Sequence, residues 1–238
     1  MQLVFPWNFG QGTGLQAAGL ARAAIKATGK VAKIAGSLPP LNGSFRPDRV
    51  RSVEEIEPLY REQAEILAPH VDVFLCETMS HINEAIAAAR AARSTGKPVI
   101  VSFTLHEQNP GKLRSGQSLE DAINGLGEVD LEGHCANCTL PERIFDAMPI
   151  LAKSGLKYVE GYANAFTHVP EDWLLDGGEN NRRTASAKRR SIARNILKVR
   201  WPMDQSGRYS GRRLLRYAAH SHSRYRNKSS VSIAILGR

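Results

Sequence analysis

The chain has 238 residues, 42% of them hydrophobic, and a formal net charge of +9. That supplies apolar material for a sizeable core and excludes global disorder. No run approaches the roughly 18 apolar residues of a membrane helix, the N-terminus has no signal-peptide pattern, and three cysteines cannot build a disulfide framework, so a reducing, cytoplasmic setting is expected.

Met1–Lys30 contains no clear strand. Gly10-x-Gly12-x-Gly14 lacks both the spacing and the preceding strand of a phosphate-binding loop, and is expected to form a turn. Val31–Gly36 reads as a strand and Val53–Leu67 as an amphipathic helix. Val71–Cys76 is a short apolar run, hence a buried strand. Ser80–Arg93 follows as a helix, with Ile82, Ile86 and Ala89 at helical spacing, and Gly96-Lys97-Pro98 stops it. Val99–Phe103 is the next strand. Ser118 stands at a helix N-cap, with Glu120 and Asp121 favouring the dipole of the first turn. Residues 133–138 form a weak strand. Pro141–Ser154 is helical, with Ile144, Met148 and Leu151 on one face, and Gly155 ends it. Tyr158–Ala163 is a further strand. Five strands alternating with helices predict parallel βα units, either in a doubly wound sheet or in a piece of a (β/α)8 barrel. Polar residues fall just after strands, at Ser37, Glu77, Ser102, Cys138 and Asn164. Barrel enzymes place their chemistry there, which favours the barrel, although five units do not close one.

The charge is unevenly spread. Residues 178–238 carry 16 Lys+Arg against two acids, Glu179 and Asp204, a net of +14, while residues 1–177 carry 16 against 21, a net of −5. Arg182-Arg183, Lys188-Arg189-Arg190 and Arg212-Arg213 show no helical or strand periodicity, so this end reads as a solvated, disordered tail. Charge of this kind supports only nonspecific, salt-sensitive contact with nucleic acid. Trp201, Tyr209, Tyr217 and Tyr225 could stack on bases, but no recognition-module pattern accompanies them.

Several side chains could carry chemistry. Cys135 and Cys138 form one Cys-x-x-Cys without a second pair. The spacing alone favours one buried small hydrophobe and one strand-end thiol over a zinc or redox site. Glu77 directly follows an apolar strand, either as a helix N-cap neighbour or as a site residue facing the barrel mouth. The seven histidines have no metal-ligand spacing. Each is expected at the surface or with its ring satisfied.

An ordered set of motifs narrows these alternatives. Ala35-Gly36-Ser37-Leu38-Pro39-Pro40, continuing to Ser44-Phe45-Arg46-Pro47-Asp48, resembles the zinc-dependent homocysteine S-methyltransferases. So do Cys76-Glu77-Thr78-Met79 with Glu84, Val101-Ser102-Phe103-Thr104, and Ser115-Gly116-Gln117-Ser118-Leu119. Asn137-Cys138 before Pro141 and Gly161-Tyr162-Ala163-Asn164-Ala165-Phe166 complete the set, in the family's order and spacing over roughly residues 31–177. The resemblance implies an α/β fold, an incomplete (β/α)8 TIM barrel of about five units that correspond to strands three to seven of the family. It implies methyl transfer from an S-methyl donor to homocysteine, giving methionine. Zinc, held by three cysteine thiolates, turns the substrate thiol into a thiolate nucleophile. Cys138 matches the first zinc cysteine and Glu77 matches the glutamate that binds the amino-acid substrate. Cys76 and Cys135 match no ligand position and are expected to be structural.

The family's other two zinc cysteines stand in a Gly-Gly-Cys-Cys, which this chain lacks. Near Leu214 and Leu215, where it is expected, the sequence reads Arg212-Arg213-Leu214-Leu215-Arg216. Codons CGG CGG CTG CTG CGG for this run, shifted by one nucleotide, encode Gly-Gly-Cys-Cys. In the same phase Met203-Asp204 must give Trp, which the family carries at about this distance. Three segments are therefore expected: an atypical 1–30, a partial barrel over 31–177 that lacks the family's first strands, and a basic 178–238 translated out of frame from about residues 178–188. Such a chain is expected to retain little zinc and little methyltransferase activity.

Overall fold

Apolar strands that alternate with amphipathic helices pack as parallel neighbours, each helix crossing back over one face of the sheet. The computed structural model describes residues 11–164, 169, 197–200, 215–217 and 233–237, and it has this arrangement. The chain runs α1 (Gln11–Thr28), β1 (Ala32–Leu38), α2 (Val53–Leu67), β2 (Val73–Met79), α3 (Ile82–Arg93), β3 (Val99–Phe103), α4 (Leu119–Gly125), β4 (Gly133–Asn137), α5 (Pro141–Ala152) and β5 (Tyr158–Tyr162). Strands β1 to β5 pair in sequence order, all parallel. Among the described residues no helix is long and apolar enough to cross a membrane.

Local rules account for most boundaries. Ser118 caps α4 by accepting from Asp121 N–H, and His81 caps α3 through Nδ1, which accepts from Asn83 N–H at 3.1 Å. Gly29, at φ +63°, ends α1 in the left-handed conformation. The glycine turn expected at Gly12 and Gly14 is corrected: both lie inside α1. The Ala- and Leu-rich stretch behind them outweighs a cost of about 1 kcal/mol per glycine.

Strand alternation divides the core. One face meets the helices: Phe74, Cys76, Val101, Phe103, Ala136 and Val159 pack with Ala85, Ala88 and Ala92 of α3 and with Ile144, Met148 and Leu151 of α5. The other face, the inside of the barrel arc, carries a small layer of Ala35, Val73, Ile100 and Cys135, with Leu75 and Tyr158 against it. His134 corrects the expectation of satisfied histidines. It is 4% exposed, shares the face of Ala136, and neither ring nitrogen has a hydrogen-bond partner. Desolvation pushes its imidazole down to about 4.

The basic end is corrected in part. Three backbone segments in it are strands: β6 (Leu197–Arg200), β7 (Leu215–Tyr217) and β8 (Ile233–Gly237). They extend the sheet to the order β7-β6-β5-β4-β3-β2-β1-β8. Each pairs antiparallel, β6 on β5, β7 on β6 and β8 on β1. The rest of residues 178–238 lies outside the described residues.

Candidate functional site

Parallel strands deliver their last inward-facing side chains to one edge of the sheet. Here these are Ser37 of β1, Glu77 of β2, Ser102 of β3, Asn137 of β4 and Tyr162 of β5. They sit above the apolar layer, at the end where barrels carry their chemistry.

Two backbone irregularities set the geometry. Between Cys76 and Met79, β2 has one residue more than the facing stretch of β3, a bulge that re-aims the strand end. Thr78, within that bulge, has φ +64°, and Cys138, just past β4, has φ +54°. A β-branched residue in the left-handed region costs of order 1–3 kcal/mol and persists only where its surroundings hold it. Asn137 does the holding. Its Oδ1 accepts from Thr78 N–H at 2.9 Å and from the Ser102 hydroxyl at 2.8 Å. Its Nδ2 donates to Thr78 Oγ1 at 2.9 Å, to the Tyr162 hydroxyl at 2.8 Å and to Cys138 Sγ at 3.3 Å. A backbone N–H can only donate, so the amide orientation follows from Thr78.

The network continues in two directions from Asn137. Towards Glu77, the Tyr162 hydroxyl donates to Oε2 at 2.8 Å and the Ser37 hydroxyl donates to Oε1. The carboxylate is thus held through both oxygens, with acceptor capacity to spare. Burial, then the charge of Glu77, push the Tyr162 hydroxyl far above its ordinary range, so it stays protonated as a donor. Towards Cys138, Thr78 Oγ1 lies 3.6 Å from Sγ. Burial raises the Cys138 thiol, and the Thr78 and Asn137 donors oppose that rise. The Cys138 carbonyl accepts from Thr104 Oγ1 at 3.3 Å and from Asn164 Nδ2 at 2.9 Å. Beside the site, Phe45, Asp48, His106, Glu107, Arg114 and Val169 contribute to a cleft of about 420 Å³.

Glu77 and Cys138, the two residues singled out from sequence, therefore belong to one hydrogen-bonded cluster. Asn137, Tyr162 and Thr78 were not given roles. Their signal was strand parity, since each stands at a strand end next to or in phase with a residue already named. Glu84, part of the same motif as Glu77, is elsewhere: it is buried in the first turn of α3 and accepts from Ser80 N–H and Oγ at 3.2 and 3.1 Å. Leu214 lies outside the described residues and Leu215 opens β7.

The thiols do not fit a three-thiolate metal centre. The sequence has three cysteines, and all three are described. Cys76 packs on the helix side, Cys135 lies in the apolar layer within the arc, and only Cys138 reaches the strand ends. Burial pushes the Cys76 thiol far up. Among the described residues no three His, Cys, Asp or Glu side chains gather as a ligand set.

No curated protein matches the chain. Among solved structures it is similar to the homocysteine methyltransferase MmuM from Escherichia coli. The apo form has TM-score 0.57 at 23% identity, covering 65% of this chain and 60% of that one. The metallated form has TM-score 0.58 at 25% identity, covering 65% and 58%. The oxidized form has TM-score 0.55 at 23% identity, covering 63% and 55%. The chain thus spans at most 60% of the length of these structures. The arc of parallel strands is accordingly part of a barrel of this kind. The family model for homocysteine S-methyltransferase matches residues 13–200, most of the sequence and wider than the span of the quoted motifs, so the chain belongs to the homocysteine S-methyltransferase family.

Proposed function

We propose that this chain recognises homocysteine through Glu77 and that its transfer of a methyl group from an S-methyl donor, to give methionine, is impaired. The observation that carries this reading is the single network joining the Glu77 carboxylate to the Cys138 thiol through Tyr162, Asn137 and Thr78. A carboxylate fixed at both oxygens is suited to accept an α-ammonium group, and the half-buried thiol lies at the other end of the same network. Tyr162 and Ser37 orient the carboxylate, and Asn137 holds the strand ends together. In the family, zinc supplies a thiolate nucleophile at neutral pH. The divergent cysteines of this chain support loss of that step, because Cys138 is the one thiol at the site. The test is zinc content together with methionine formation by the full chain. S-methylmethionine, S-adenosylmethionine and betaine serve in turn as donors. The expected result is substoichiometric zinc and little methionine; one tightly bound zinc with multiple turnovers would contradict the proposal.

A second reading concerns residues 178–238. We propose that this end is translated from a shifted frame of a homocysteine methyltransferase gene and is not a dedicated nucleic-acid surface. The step from a net of −5 to a net of +14 supports it. So does antiparallel pairing of β6 and β8 where a (β/α)8 barrel continues in parallel. The family match extends to residue 200, past the charge step, and runs against this reading. The coding sequence tests the reading. CTG at Leu214 and at Leu215, each followed by C, is expected, and other leucine codons there contradict it.

A further inference from the structure

We propose that Arg114 is a positioning residue: it fastens Phe45 over the Cys138 thiol and so shields that sulfur from water. Phe45, Val169 and Cys138 form an apolar cluster separate from the main core. Phe45 is 6% exposed, yet it belongs to the loop after β1 and has φ +66°. A bulky side chain does not hold a left-handed backbone unaided. Arg114 supplies the restraint from the segment after β3. Its Nε donates to the Phe45 carbonyl at 3.1 Å, and its guanidinium carbon lies 5.4 Å from the centre of the Phe45 ring. Its Nη2 donates to the Val169 carbonyl at 2.7 Å. Glu107, with Oε1 3.6 Å from Arg114 Nη1, accepts from Val169 N–H at 2.7 Å.

One planar fork thus ties the loop after β1 to Val169 beyond β5, and both apolar pieces rest on the thiol. The Arg114 and Glu107 side chains are 10% and 9% exposed. A buried ion pair adds little net stability but fixes geometry where its remaining donors are satisfied. The guanidinium meets two carbonyls, a carboxylate and a ring at once, which a lysine cannot do. The value of the shield for catalysis rests on the proposed role of Cys138; the shield itself does not.

The experiment measures alkylation of Cys138 by iodoacetamide in the full chain, followed by peptide mass spectrometry, with Cys76 and Cys135 as buried internal controls. Arg114→Gln and Phe45→Ala are each expected to speed modification of Cys138 by about tenfold, the loss of a local closure of about 1.4 kcal/mol. The double variant should react no faster than the faster single variant, and Phe45→Tyr should keep the parent rate. Rates within about twofold of the parent in both single variants, or effects that multiply in the double, would overturn the proposal. If Arg114→Gln speeds all three thiols, the fold has opened and Phe45→Ala, which keeps the Arg114–Glu107 pair, decides. Selective exposure of Cys138 in Phe45→Ala supports the shield; an unchanged rate overturns it. The rates are read without substrate, so failure of the methyltransferase reading would leave this result standing.

Discussion

Asn137 receives two donors through Oδ1 and offers the two protons of its amide to three acceptors. Asn137→Ala would leave the Thr78 N–H and the Ser102 hydroxyl without this partner in a buried site. A loss of about 2–4 kcal/mol in unfolding free energy is expected, measured by urea denaturation. Tyr162→Phe removes one donor to a carboxylate, keeps the ring, and should cost about 1–2 kcal/mol in the same measurement. Two other buried groups set opposing pH dependences. Burial pushes Glu84 up to about 7 from an ordinary 4.5. The unfolded chain therefore releases this proton first, and the contribution of Glu84 to stability falls as pH rises from about 4.5 towards 7. His134, pushed down to about 4 from an ordinary 6.5, behaves in reverse. Its contribution is complete above about 6.5 and falls as pH drops towards 4. The two slopes offset one another between these limits. Relative to the parent, Glu84→Gln should gain stability as pH rises over this range, and His134→Leu should gain it as pH falls. Each slope approaches about 1.4 kcal/mol per pH unit. Variant-minus-parent differences that do not change with pH would contradict both assignments.

Among the elements, α5 lies on β5 with no room between them. A Cβ placed on Gly161 would meet Cγ2 of Ile144 at 2.5 Å and Cε of Met148 at 3.3 Å. Gly161→Ala should therefore push α5 outward and cost about 1–3 kcal/mol, again read by urea denaturation. This tier was the most legible in the sequence. Periodicity and cap residues located every parallel strand and the helices between them, because buried strands and amphipathic helices leave a local pattern. The Gly12–Gly14 segment misled because turn residues are a local signal and helix formation sums over many neighbours. Glu77 and Cys138 were legible as strand-end residues; Asn137 and Tyr162 were given no role, although their strand parity carried the signal. The left-handed Thr78 and Cys138 were not legible, since the bulge in β2 follows from pairing with β3 and not from composition. Nor was the Arg114 fork, whose partners Phe45, Glu107 and Val169 come from three loops. His134 has no local mark because an unpartnered ring is a property of its surroundings.

In the whole molecule, one arc of five parallel strands carries a polar cluster at its C-terminal edge, and of the three cysteines only Cys138 reaches that cluster. The formal net charge is +9. Divided at residue 178, it belongs to an end whose strands run against the direction of the barrel. On the proposed reading, what this chain keeps of the family's function is recognition of the amino-acid substrate, and Glu77 carries that claim. The most direct measurement is calorimetric titration of L-homocysteine into the full chain and into Glu77→Gln. Saturable binding by the parent, weakened about tenfold or more when the carboxylate becomes an amide, is the predicted result. Equal affinity in the two proteins, or no binding by a folded parent, would contradict the account.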